Sequence, residues 1–232
     1  MESRSIALDG PAGAGKSTLA QMSAERFGLI YVDTGALYRC VGLALLRRGG
    51  NSKDMDATVS LLPEISLEMR YDASGAQRMI LNGSDVTDDI RTPAASIYAS
   101  DVSAMPPVRA FLLDMQRQMA VKYDVVMDGR DIGTVVLPNA GLKVFLTASP
   151  EVRAQRRYKE LLEKSVDTTF EDVLRDISYR DKNDSSRKSA PLAAAADAIL
   201  LDTTELDLTA SFEKLCKLIQ AHFSINPQHK TY

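Results

Sequence analysis

Gly10-Pro-Ala-Gly-Ala-Gly-Lys16-Ser17 places three glycines, a lysine and a hydroxyl within eight residues. It follows the short apolar run Ser5-Ile-Ala-Leu8 and precedes a helical pattern carrying Leu19, Met22 and Phe27. Strand, glycine loop and helix are the context in which Gly-x-x-x-x-Gly-Lys-Ser forms a phosphate cradle. The glycines let successive backbone N–H groups turn inward, and the helix N-terminus adds partial positive charge. Lys16 then reaches the outer phosphates, and the Ser17 hydroxyl is placed to hold Mg²⁺. At ordinary glycine frequencies a random chain of this length matches the pattern on the order of 1 time in 100.

Working outward, the same strand-then-helix rhythm recurs. Leu29-Ile-Tyr-Val32 leads into Asp33-Thr34-Gly35, and Val125-Val-Met127 into Asp128-Gly-Arg-Asp131. Leu142 to Leu146 leads into Ser149-Pro150-Glu151, with Ser149 as N-cap and Pro150 at the first helical position, and Ala198-Ile-Leu-Leu201 into Asp202. Unbroken apolar runs alternating with helices predict a parallel sheet covered on both faces. Ligands of such sheets gather beyond the carboxyl ends of the strands, so these polar residues are expected on one rim.

Two stretches depart from this rhythm. Ile65 to Tyr71 alternates apolar and polar residues, meets the turn Asp72-Ala-Ser-Gly75, and continues as Arg78 to Leu81, closed by Asn82-Gly83. That pattern predicts an antiparallel hairpin with one wet face, inserted over roughly residues 60–98. In the second stretch, Thr169 caps a helix whose Phe170, Val173, Leu174 and Ile177 share a face. Its flanks are dense in charge, and Asn183 to Ser189 reads as unsuited to a core.

The 232 residues suffice for one α/β domain with insertions. Lys plus Arg number 28 against 31 Asp plus Glu, which argues against a general nucleic-acid or anionic-membrane surface. Cys40 and Cys216 make neither a disulfide framework nor a metal cluster, and Cys40 is expected to pack as a small apolar residue. His222 and His229 lie far from every motif and are expected at the surface. No apolar stretch has membrane-spanning length, so a soluble, cytoplasmic protein is expected. The residues leave the role of Tyr38 open between pocket and core, and oligomeric state is not legible.

A phosphate loop alone does not separate a small-molecule kinase from a switch or an ATPase. The guanine-reading Asn-Lys-x-Asp of GTPases is missing, whereas Met127-Asp128 could serve as the acidic strand end that many ATPases use for Mg²⁺. For Arg153, Arg156 and Arg157, which share a helix face, a solvated surface competes with a role over the nucleotide.

Taken together, Ile6-Ala-Leu-Asp-Gly-Pro-Ala-Gly-Ala-Gly-Lys-Ser-Thr18, Asp33-Thr-Gly-Ala-Leu-Tyr-Arg39 and Asp128-Gly-Arg-Asp-Ile-Gly-Thr134 resemble the bacterial cytidylate kinases. The likeness runs over nearly the whole chain and includes Arg180-Asp-Lys-Asn-Asp-Ser-Ser-Arg187. It implies an α/β P-loop nucleoside monophosphate kinase fold: a five-stranded parallel core flanked by helices, an antiparallel β-rich lobe for the monophosphate over 60–98, and a helical lid over 154–188. It implies ATP and Mg²⁺, a small-molecule nucleotide acceptor and no polymeric nucleic acid, in a chain acting as a monomer.

By the same resemblance, Gly10, Pro11, Ala12, Gly13, Ala14, Gly15, Lys16, Ser17 and Thr18 with Arg157 would hold ATP. Arg39, Arg130 and Arg187 would grip the phosphate of CMP, with Thr34 beside them, and Arg180 with Asp184 would hold the sugar. Lys16, Asp128, Arg130 and Arg187 would carry the transfer. Thr34 stands where many members of the family carry serine. Asp131, with Ser100 and Arg109, would read the base: the exocyclic amine of cytosine donates, whereas uracil presents a carbonyl that a carboxylate repels. A purely structural role for Asp131, as an N-cap or in an ion pair with Arg130, competes with that one.

Overall fold

The computed structural model describes residues 4–225, so His229 lies outside the described residues. β1 (Ser5–Asp9) ends in the glycine loop, which opens α1 (Lys16–Phe27). β2 (Ile30–Asp33) passes directly into α2 (Thr34–Arg47), whose N-cap is Asp33. After α3 (Met55–Leu61) come β3 (Leu67–Tyr71), β4 (Gln77–Leu81) and β5 (Ser84–Asp85). α4 (Pro93–Ser103) and α5 (Pro106–Lys122) lead to β6 (Val125–Gly129), a wide helical turn (Ile132–Val136) and β7 (Leu142–Thr147). α6 (Pro150–Glu163), α7 (Phe170–Ser186), β8 (Ile199–Asp202) and α8 (Leu208–Phe223) complete the chain.

The five expected runs form one parallel sheet in the order β2-β6-β1-β7-β8. β1 is central and wholly apolar from Ile6 to Leu8, which are fully buried. Leu19, Phe27, Leu215 and Ile219 of α1 and α8 close one face, and Val125, Met127, Ile132 and Val136 pack on the other. The register sets Asp33 beside Asp128 and Asp9 beside Gly129, so three strands end level on one rim.

The glycine loop fits because it lacks side chains. A β-carbon on Gly10 would lie 1.9 Å from the Leu146 carbonyl oxygen of β7, an impossible approach. Gly15 holds φ +88°, a left-handed conformation that costs a residue with a β-carbon about 1–2 kcal/mol.

The hairpin forms with Leu67 opposite Leu81 and Glu68 opposite Ile80. Asn82 and Gly83 both have positive φ, the two-residue turn that matches strand twist. The chain continues beyond them as β5, which the sequence reading did not anticipate because two polar residues carry no periodicity. The hairpin packs into the core around α2 and α4, sharing Leu37, Val41, Met79 and Val102. It also covers the open edge of β2. Tyr71 donates its hydroxyl to the Tyr31 carbonyl at 2.9 Å, and the Gln77 amide accepts from Asp33 N–H at 2.8 Å.

α6 and α7 join through Ala154, Leu161, Val173 and Ile177, with Ala12 of the glycine loop in the same cluster. Arg153 corrects an expectation. It is neither solvated nor aimed over a nucleotide: it is 4% exposed, pairs with Asp181 of α7 at 2.6 Å, and donates to the carbonyls of Ala12 and Ala148, both at 2.8 Å. Arg156 donates to the carbonyls of Thr203 and Leu206, tying α6 to the end of β8. The charged segment read as unsuited to a core also differs, because Asp184 and Arg187 are buried against α4.

Candidate functional site

A cleft of 690 Å³ runs along the sheet rim and is lined by the glycine loop, the start of α2, Ser100 and Ser103 of α4, Asp128 to Asp131, and α6 and α7. The phosphate loop and the Asp33–Arg39, Asp128–Asp131 and Arg180–Arg187 segments all contribute to it. Its walls carry eleven Lys or Arg against seven Asp or Glu, although the whole chain has a formal charge of −3. The excess cation is local and concave, which is the arrangement that concentrates an anionic ligand.

At one end, Lys16 is buried and its ammonium donates to the Pro11 carbonyl at 2.7 Å. Burial, helped by Arg130, holds its pKa well below the usual lysine range. Ser17 donates its hydroxyl to Asp128 Oδ2 at 2.6 Å, and Asp33 lies alongside in register. Burial and the Asp33 charge push Asp128 up to about 6. A hydroxyl and a buried carboxylate are hard oxygen donors of the kind that suits Mg²⁺ bound mainly by substrate phosphates and water. Among the described residues there is no group of three or more His, Cys, Asp or Glu placed to hold a metal ion.

In the middle, arginines dominate. Arg39 pairs with Asp33 at 2.5 Å, and Arg130 with Asp184 at 2.8 Å. Arg187 donates to the Ser103 hydroxyl at 3.1 Å. Yet Arg39 Nε, Arg180 Nε and Arg187 Nη2 are buried and make no hydrogen bond, with Arg187 Nη2 no nearer than 3.8 Å to the Asp184 carboxylate. Leaving one buried donor unmatched costs about 1–3 kcal/mol. Burial, then the neighbouring Arg130, lowers Arg180 to about 10. Three unmatched guanidinium N–H groups in one cleft mark a site for an anion with several acceptor oxygens. Arg157 sits on the α6 wall, paired with Glu160 at 2.7 Å.

At the far end, Asp131 is buried and ion-paired with Arg109, not with its neighbour Arg130. The Arg109 guanidinium lies over the Tyr38 ring, 5.8 Å from its centroid, so Tyr38 both fills the core and floors the pocket. Ser100 donates to Asp184 Oδ1 at 3.1 Å and accepts from Asn183 at 2.9 Å, linking α4 to α7. Thr34 lines the cleft, and its hydroxyl donates to the Asp128 carbonyl at 2.7 Å, which ties α2 to β6.

Sequence reasoning missed Tyr31, whose hydroxyl reaches Asp128 Oδ1 at 3.4 Å, and left Asp9 unweighed. A tyrosine inside an apolar run and an aspartate at a strand end carry no signal of their own. Cys40 and Cys216 are free and buried, Cys40 with its thiol pushed up to about 12 by burial. His222 is exposed on α8. No helix among the described residues is long and apolar enough to cross a membrane.

Known proteins resemble this chain over most of its length. The family described as cytidylate kinase matches residues 6–221. A cytidylate kinase of Caldicellulosiruptor bescii is 46% identical over 218 residues, covering 94% of this chain and 96% of that protein. One from Thermosipho melanesiensis is 47% identical over 216 residues, covering 93% and 96%. Among solved structures, an uncharacterized protein from Eubacterium ventriosum shares the fold with a TM-score of 0.51 at 13% identity, covering 94% of this chain and 99% of that one. With motifs, sheet order and cleft in agreement with a match across nearly its full length, the chain belongs to the cytidylate kinase family.

Proposed function

We propose that the protein transfers the γ-phosphoryl group of ATP to CMP and dCMP, yielding ADP with CDP or dCDP. The observation that carries this reading is the set of buried, unmatched N–H groups on Arg39, Arg180 and Arg187, in a cleft that begins at the phosphate loop. The family name supplies the identity of the acceptor. ATP would lie on Gly10 to Thr18 under Arg157, and CMP between Arg39, Arg130, Arg187 and the Asp131–Arg109 pair. Segments 60–98 and 154–188 would be the monophosphate lobe and the lid. Two buried free thiols fit a reducing compartment such as the cytoplasm.

Phosphoryl transfer asks the protein to align two phosphates and neutralise spreading charge. An oxygen of the CMP phosphate attacks the γ-phosphorus, the bond to the β,γ-bridging oxygen breaks, and that oxygen leaves with ADP. Lys16 and the loop N–H groups hold the donor phosphates, while Arg39, Arg130 and Arg187 hold the acceptor in line. Ser17 and Asp128 would hold Mg²⁺, which when bound neutralises oxygens of the donor phosphates. Arginine serves here because its planar fork pairs with two phosphate oxygens at once. For the base, Asp131 accepts from the cytosine amine and repels the uracil carbonyl.

ADP release measured with CMP, dCMP, UMP and AMP tests the reading. Turnover fastest with CMP or dCMP is the expected result; turnover fastest with UMP or AMP would overturn the base assignment.

A further inference from the structure

Asp131 stands at the N-cap of the turn Ile132–Val136, yet its side chain makes no cap hydrogen bond. An aspartate in that position ordinarily turns its carboxylate onto the first free N–H groups of the turn. Here another strand does so. Asp9, the last residue of β1, is 4% exposed. Its Oδ1 accepts from Ile132 N–H at 2.8 Å and its Oδ2 from Gly133 N–H at 2.7 Å. The Asp131 carboxylate, relieved of capping, pairs with Arg109 at the pocket wall. The far end of the turn is held as well: Arg117 of α5 donates Nε to the Val136 carbonyl at 3.1 Å and Nη2 to that of Val135 at 3.0 Å.

We propose, resting on Asp131 as the cytosine-selecting carboxylate, that Asp9 is a positioning residue for base choice, because its cap on the turn keeps the Asp131 side chain facing the pocket. Asp9 does not touch the base. It immediately precedes Gly10, so one residue ties the donor loop to the segment that selects the acceptor. Replacing it by asparagine leaves one acceptor oxygen and introduces an amide donor. One of the two buried N–H groups then lacks a partner, and the carboxylate placed by its N-cap position to supply one is that of Asp131. A carboxylate rotated onto its own turn no longer faces the cytosine amine.

The experiment compares wild type, Asp9→Asn and Arg117→Met, measuring kcat and KM for CMP, UMP and ATP, with thermal unfolding as a check on folding. In Asp9→Asn the CMP-over-UMP ratio of kcat/KM should fall about tenfold or more, chiefly through KM for CMP, with KM for ATP within about twofold. Arg117 is exposed, so Arg117→Met should fold normally and lower the same ratio by about threefold. A folded Asp9→Asn with the wild-type ratio would overturn the role of Asp9, since a purely structural loss affects both acceptors alike. If Asp9→Asn does not fold, a wild-type ratio in Arg117→Met overturns it instead. A wild type with no preference for CMP over UMP would overturn the underlying reading of Asp131.

Discussion

Two carboxylates at the ends of neighbouring strands illustrate how environment divides similar residues into different roles. Asp131 faces a guanidinium, whereas Asp9 faces two backbone N–H groups. Burial nevertheless outweighs those donors and pushes Asp9 up to about 6. The folded protein therefore holds a proton that the unfolded chain releases near 3.9. By linkage this group's contribution to stability falls as pH rises from about 4 to about 6 and is flat above. Urea unfolding across that range should show wild type losing about 1–3 kcal/mol relative to Asp9→Asn. A pH-independent difference would mean that Asp9 titrates as an ordinary carboxylate. Arg180 gives a second expectation at this scale. Its Nε makes no hydrogen bond, so Arg180→Met should leave the thermal midpoint near wild type while KM for the acceptor rises about tenfold or more. A large loss of stability with unchanged KM would make it a structural arginine. The phosphate loop was legible from its spacing, because phosphate chemistry demands glycines, a lysine and a hydroxyl in that order, whereas the arginines and Asp131 entered through the resemblance to a family. Asp9 was legible in neither way, since its role depends on N–H groups 123 and 124 positions away.

Elements carry the same lesson. The five strands of the parallel sheet, the Ser149-Pro150 and Thr169 helix starts and the hairpin were readable, because apolar period and capping chemistry act locally. Their attachments were not readable. Arg153 looked like one of three arginines on a helix face, and only the packing of α6 against α7 turns it into a latch on the glycine loop. Removing one partner of a buried ion pair costs about 3–5 kcal/mol. Arg153→Met should therefore lower stability by roughly that amount and raise KM for ATP more than KM for CMP, as kinetics with each substrate varied will check. The hairpin makes the complementary case. Gln77 holds Asp33 through its backbone, and Asp33 in turn pairs with Arg39. Gln77→Ala should accordingly raise KM for CMP while leaving KM for ATP near wild type; equal effects on both would mean that the hairpin only supports the core.

At the scale of the molecule, a chain of net charge −3 concentrates its cations in one cleft. Repulsion among them and their unmatched donors is an energy that bound phosphates relieve. A ligand at 100 times its Kd adds about 2.7 kcal/mol of stability. For a chain of this size that corresponds to a rise in Tm of about 5–10 °C. CMP with a non-hydrolysable ATP analogue should produce a shift of that order, and cytidine, which lacks phosphate, should not. A similar shift with cytidine would place the binding energy in the base instead of the arginines.

The parallel sheet, the phosphate loop and the residue types gathered on its rim follow from the order of residues along the chain. Apolar period, glycine spacing and helix caps are local, and they constrain the chain before it folds. Tertiary structure alone decided which carboxylate meets which cation. It paired Asp131 with Arg109 and Asp184 with Arg130, buried Arg153, and assigned the cap of the Ile132 turn to Asp9. Those pairings are settled by strand order and register, which bring together residues that no spacing along the chain connects.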